Sequence, residues 1–209
     1  MRRIQSVAIL VLLVGMAAGC GSARPVKYYV LDVPPAPANS TAAQYSVRLL
    51  VGRVNTSHLY RDDRLVFGSG PVELGTYESE RWAETPADMV QDMLVSSLRS
   101  TGQYLSVSRL GTNVRGDYIV RGHLYDLYEV DKPQLVARFS LQVELFDPKL
   151  GNTMWSSTYT HDEPVNGKKV PDVVEAMDRN VKAGMQQLTA GIGQYFVTHP
   201  TTSQPQGAQ

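Results

Sequence analysis

Cysteine is nearly absent: Cys20 is the only one in the chain. No internal disulfide and no cysteine-rich metal site can form. Excess charge is also missing, with 20 basic and 20 acidic residues. That balance lacks the electrostatic footprint of a nucleic-acid binder. The four histidines, His58, His123, His161 and His199, do not stand at metal-ligand spacing. No Gly-Lys-Ser/Thr loop is present to cradle a nucleotide phosphate, so the chain is not itself an ATPase. Gly68-Ser69-Gly70 has neither the third glycine and long helix of a dinucleotide site nor, with Val66 in place of a glycine, the pattern of a nucleophile elbow. The adjacent acids Asp62-Asp63 and Asp162-Glu163 point to opposite sides in a strand or into solvent in a loop. The sequence is therefore expected to describe a non-enzyme with no cofactor and no metal.

What is present begins at the N-terminus. Arg2 and Arg3 precede the apolar run Val7–Val14, and small residues then lead to Cys20. This is the anatomy of a secretory signal, and the run is too short for a transmembrane span. Ala17-Ala18-Gly19-Cys20 resembles the bacterial lipobox, which implies cleavage after residue 19 and acylation of the Cys20 thiol. Several acyl chains, at about 0.8 kcal/mol per buried methylene, hold a protein to a membrane stably. Gly21 is not the Asp that commonly marks inner-membrane retention of lipoproteins. The expected address is the periplasmic face of the outer membrane. Cleavage would remove Arg2 and Arg3 and leave 18 basic against 20 acidic residues.

At 43% hydrophobic residues, the remainder suits one globular domain. Strands are expected at Tyr28–Leu31, Tyr45–Val54, Arg64–Phe67, Pro71–Leu74 and Tyr104–Val107. A meander of long strands should follow, at Asp117–Val130, Leu135–Phe146 and Met154–Thr160. Thr85-Pro86-Ala87-Asp88 reads as a capped helix start, with Val90, Met93, Leu94, Ser97 and Leu98 as its apolar stripe and Gly102 just past its end. Pro171 opens a second helix, striped by Val174, Met177, Val181, Met185, Leu188, Ile192 and Tyr195. Gly184, Gly191 and Gly193 lower its intrinsic helicity and suit close packing on a sheet. The expected fold is an α+β two-layer sandwich, a mostly antiparallel sheet with both helices on one face. Three segments result: a signal at 1–19, a domain at 20–197 and a disordered polar tail at 198–209.

Arg81-Trp82-Ala83-Glu84, before the first helix, has two readings. Trp82 either closes the core or presents a partner surface. Taken with the lipobox, Tyr28-Tyr29-Val30-Leu31, the segment Leu59-Tyr60-Arg61-Asp62-Asp63-Arg64-Leu65-Val66, Tyr77, the long Tyr118–Phe146 hairpin and the closing helix, it gives the chain its affinity. In this order the motifs resemble the ABC-type transport auxiliary lipoproteins that accompany the paraquat-inducible (Pqi) and other MCE-domain lipid transport systems. The resemblance implies a non-catalytic lipoprotein whose partners are an MCE-domain substrate-binding protein and, through it, an ABC permease and ATPase. Tyr60, Arg61, Arg64 and Trp82 are the candidate docking residues, since aromatics give rigid contact area and arginine gives directional hydrogen bonds. Two other classes stay open. One is a carrier with an apolar pocket between helix and sheet. The other is a structural lipoprotein of another envelope complex, such as a secretion pilotin or a TolB-like accessory. A homo-oligomer is compatible with each.

Overall fold

The computed structural model describes residues 25–40, 42–70, 72–111 and 115–200. The signal segment, Cys20 and residues 201–209 lie outside the described residues. In chain order the elements are β1 (Lys27–Tyr29), β2 (Tyr45–Thr56), a 3-10 turn (His58–Arg61), β3 (Arg64–Gly68), β4 (Leu74–Trp82), α1 (Pro86–Ser100), β5 (Tyr104–Arg109), β6 (Tyr118–Val130), β7 (Val136–Asp147), β8 (Asn152–Pro164) and α2 (Val170–Thr198). The fold is α+β: one eight-stranded sheet covered by two helices.

The sheet forks at β6. One edge of β6 carries β7 and then β8, paired antiparallel from Ile119↔Phe146 to Val136↔Pro164. The other edge is shared. Its N-terminal part pairs parallel with β2, and β2 with β5; its last two residues pair with β3, which continues to β4 and β1. The meander supplies most of the antiparallel register, as expected. The parallel pairings β1–β4, β2–β5, β2–β6 and β3–β6 make the sheet mixed. Alternation of side chains fixes which face a strand buries but not the direction of its neighbour, so these pairings leave no local signature.

The helices follow from their sequence signals. Thr85 accepts from the Asp88 N–H and donates to its carboxylate at 2.7 Å, and Gly102 takes φ +64 past the end of α1. All seven stripe residues of α2 are buried, against Phe139, Leu141, Val143 and Leu145 of β7 and their neighbours. A Cβ on Gly184 would stand 2.7 Å from the Tyr159 ring and 2.9 Å from Phe139, and one on Gly191 2.6 Å from Trp155. These glycines let α2 lie close on β7 and β8. Asn180 on α2 is wholly buried; it accepts from the Tyr159 hydroxyl and donates to the Ala137 and His161 carbonyls. Buried polar groups persist when satisfied in this way.

β4 departs from the sequence reading. The strand runs from Leu74 to Trp82 instead of Pro71 to Leu74, and Val72 is fully exposed in the preceding loop. Its residues are mostly half-buried, without alternation. Specific pairings hold it in place. Tyr77 donates to Glu129 at 2.8 Å, Lys27 and Tyr29 reach Glu80, and Arg81 reaches Asp63. No helix among the described residues is long and apolar enough to cross a membrane.

Candidate docking surface

The candidate residues divide between interior and surface. Tyr60 lies in the 3-10 turn between β2 and β3 and is 2% exposed. Burial pushes its phenol well above the ordinary tyrosine range. Trp82 ends β4 and is 1% exposed. Neither offers a partner contact area, which corrects their assignment to the docking surface. Of the two readings of Trp82, the core reading holds. Both are large amphipathic rings, and a short turn and a strand end are good places to bury such rings against the core.

Arg61 and Arg64 remain at the surface. Arg61 is exposed and makes no ion pair among the described residues. The Arg64 guanidinium lies 3.7 Å from Asp62, and Arg81 pairs with Asp63 at 2.6 Å. Hydrogen bonding with Asp63, through its carboxyl and its N–H, holds the Asp62 carboxyl below its usual range, and the charges of Arg64 and Arg81 act in the same sense. Exposed pairs of this kind contribute about 0–1 kcal/mol each. Their stronger effect is to fix the side chains in a row. Register places Arg64 opposite Arg81 and Arg81 beside Tyr28, so the row crosses β3, β4 and β1.

Three surface depressions open to solvent among the described residues. One of about 490 Å³ lies between Val33–Ala36 and the Asp92–Arg99 side of α1. Another of about 440 Å³ separates the helices, lined by Ser97, Thr101, Gln103, Lys182 and Thr189 among others. A third of about 220 Å³, on the exposed sheet face, is lined by Asn55, Arg121, His123 and Glu144. Between the layers lie side chains such as Phe139, Leu141, Met177 and Leu188, each at most 1% exposed.

Half-buried acids are the feature the sequence conceals. Burial raises the carboxyls of Asp126 and Glu129, against the pull of Arg138 on the first and of the Tyr77 hydroxyl on the second. Arg138 grips Asp162 through two hydrogen bonds of 2.7 and 2.6 Å, and that grip lowers the Asp162 carboxyl. These groups join strands to one another. Among the described residues no three His, Cys, Asp or Glu side chains converge as metal ligands. His123 is exposed, and its ring lies tilted against that of Tyr125 with centroids 4.4 Å apart.

The domain is thus a forked α+β sheet with a core closed to solvent and ion-paired arginines at its surface. Residues 29–189 match the model of the ABC-type transport auxiliary lipoprotein component, and the chain belongs to that family. The family is that of lipoproteins which serve an ABC-type transport system as auxiliary components. A DUF330-family protein of Xanthomonas campestris has a similar crystal structure, with 22% identity, TM-score 0.71, and coverage of 83% of this chain and 99% of that one. The crystal structure of an uncharacterized protein is similar at 13% identity and TM-score 0.60, covering 82% of this chain and 98% of that one. At such identities the likeness concerns the fold. No curated protein matches the chain.

Proposed function

We propose that this protein is a non-catalytic, lipid-anchored docking component of an MCE-type ABC transport system for lipids or other hydrophobic molecules. Cys20, cleaved free of residues 1–19 and acylated, anchors it. Gly21 after the cysteine favours the periplasmic face of the outer membrane. Arg61 and Arg64 meet an MCE-domain protein, which links to the permease and ATPase. The observation that carries docking over carriage is the interior closed to solvent. The side chains of β6, β7, α1 and α2 that would line an apolar pocket between helix and sheet are almost wholly inaccessible.

Co-purification from detergent-solubilised envelopes tests this reading. An MCE-domain protein should be recovered with the wild-type chain, and Cys20→Ser should move the protein from the membrane to the soluble fraction. A Cys20→Ser chain that stays with membranes overturns the anchor. Repeated recovery of secretion components alone overturns the transport assignment.

A further inference from the structure

The segment through β1 is apolar on both sides. Tyr29 packs on the core and Leu31 is 4% exposed within it. The residues of opposite parity, Val26, Tyr28 and Val30, are 44, 63 and 65% exposed. Single exposed apolar side chains are ordinary on a soluble protein, whereas a contiguous group marks a contact surface. Val72, Leu110, Tyr125, Leu150 and Val197, by contrast, stand apart from one another in the chain. β1 is also an edge: among the described strands it pairs only with β4. Exposed edges are normally short or charged. This one is three residues long, so it is a poor template for another strand.

Position decides what covers it. Six residue steps separate Cys20 from Val26. Fully extended they reach about 20 Å, and as a flexible coil about 12–15 Å. An anchor at Cys20 therefore keeps β1 within about 20 Å of the bilayer surface. Charge decides the kind of surface. Lys27 pairs with Glu80 at 3.0 Å, Arg81 with Asp63 and Arg64 with Asp62, so each cation of β1, β4 and β3 is matched by an acid and none of these three is free to select anionic lipid. Depth is limited by the backbone, because the open N–H and C=O groups of an edge strand cannot enter hydrocarbon. Tyrosine is suited to headgroup depth, with an apolar ring and a polar tip.

We propose that Val26, Tyr28 and Val30 seat the domain on a zwitterionic phospholipid surface at headgroup depth, β1 edge downward. The proposal rests on Cys20 being the lipid anchor. Strands lie about 4.8 Å apart, so Arg64 on β3 is held about 10 Å from β1. A partner docked on that row meets the bilayer directly.

The full-length lipoprotein, reconstituted in phosphatidylcholine vesicles with brominated acyl chains, provides the test. Tyr28→Trp places a fluorophore in the seat. Leu150→Trp places one in the β7–β8 turn, beyond the end of β6 where Ile119 pairs with Phe146, about 30 Å along that strand from the β3 junction. Wild-type emission, from Trp82 and Trp155, is subtracted. Brominated lipid should reduce the added Tyr28→Trp emission at least twofold and leave that of Leu150→Trp within about a tenth of its value in unbrominated vesicles. Flotation of the vesicles reads the anchor separately. Protein that fails to float overturns anchor and seat together. Protein that floats with Tyr28→Trp unquenched, or with both positions quenched alike, overturns the seat alone. An unquenched Tyr28→Trp protein that cross-links as a dimer in the vesicles assigns the face to a second copy of this chain and overturns the proposal too.

Discussion

Glu129 shows how one side chain can oppose the stability it helps to organise. Its carboxylate accepts from Tyr77 and ties β4 to β6, yet burial holds its pKa above the usual glutamate range. A carboxyl raised on folding favours the protonated form. The stability that gives is complete below the ordinary pKa and is lost as pH rises through the folded value, so the ionised group is a cost at neutral pH. Glu129→Gln removes the charge and keeps a carbonyl for Tyr77. Thermal melts should show the variant more stable at pH 7, by about 2–4 °C for a gain on the order of 1 kcal/mol. The difference should close at pH 4 and below. An equal gain at both pH values would rule out desolvation of the carboxylate as its source. Asp162, whose carboxyl Arg138 lowers, has the opposite sign and loses its contribution as pH falls. None of this is legible in sequence, since Tyr77 and Glu129 are 52 residues apart and meet only through the β3–β6 junction.

Among the elements, α2 was the most legible. Seven apolar residues at steps of three and four fixed its buried face, and its glycines were consistent with close approach to the sheet. Gly184→Ala tests that approach. The methyl would meet the rings of Tyr159 and Phe139 at under 3 Å. Overpacking costs about 1–3 kcal/mol, against about 1 kcal/mol gained in helix propensity. Urea denaturation should show a net loss, and a gain would mean that the helix stands off the sheet. β4 was the least legible element. Its order comes from four side-chain pairings with residues far away in the chain, and its own sequence has no period to betray it. Gln91 is similar. It sits buried on α1 and donates to the carbonyl of Gly52 at 2.8 Å, where the register of β2 shifts. An amide in an apolar stripe carries no mark of the distant carbonyl it serves.

For the whole molecule, the fold class and the meander were readable because alternation persists over long strands. The fork at β6 was not, because it depends on which distant strands share one edge. The candidate site was half readable. Tyr60 and Trp82 had the right composition for a contact surface and equally for a core, and only the tertiary structure separates these. Arg61 and Arg64 remain as the proposed docking residues. Arg61→Glu with Arg64→Glu should lower recovery of the proposed MCE-domain partner at least threefold while leaving the melting temperature within about 2 °C, since exposed ion pairs contribute little to stability. Unchanged recovery would move the docking surface elsewhere on the domain.

The shared edge of β6 also has a mechanical meaning. A pull on the chain N-terminal to β1 enters the sheet through three register pairs with β4, where Glu80 clasps both Lys27 and Tyr29. It then crosses β3 and reaches β6 at Glu129 and Val130. Tension between a tether at one end and a partner on the arginine row thus travels through one branch of the fork. The other branch, β2 and β5 under α1, is spared the strain.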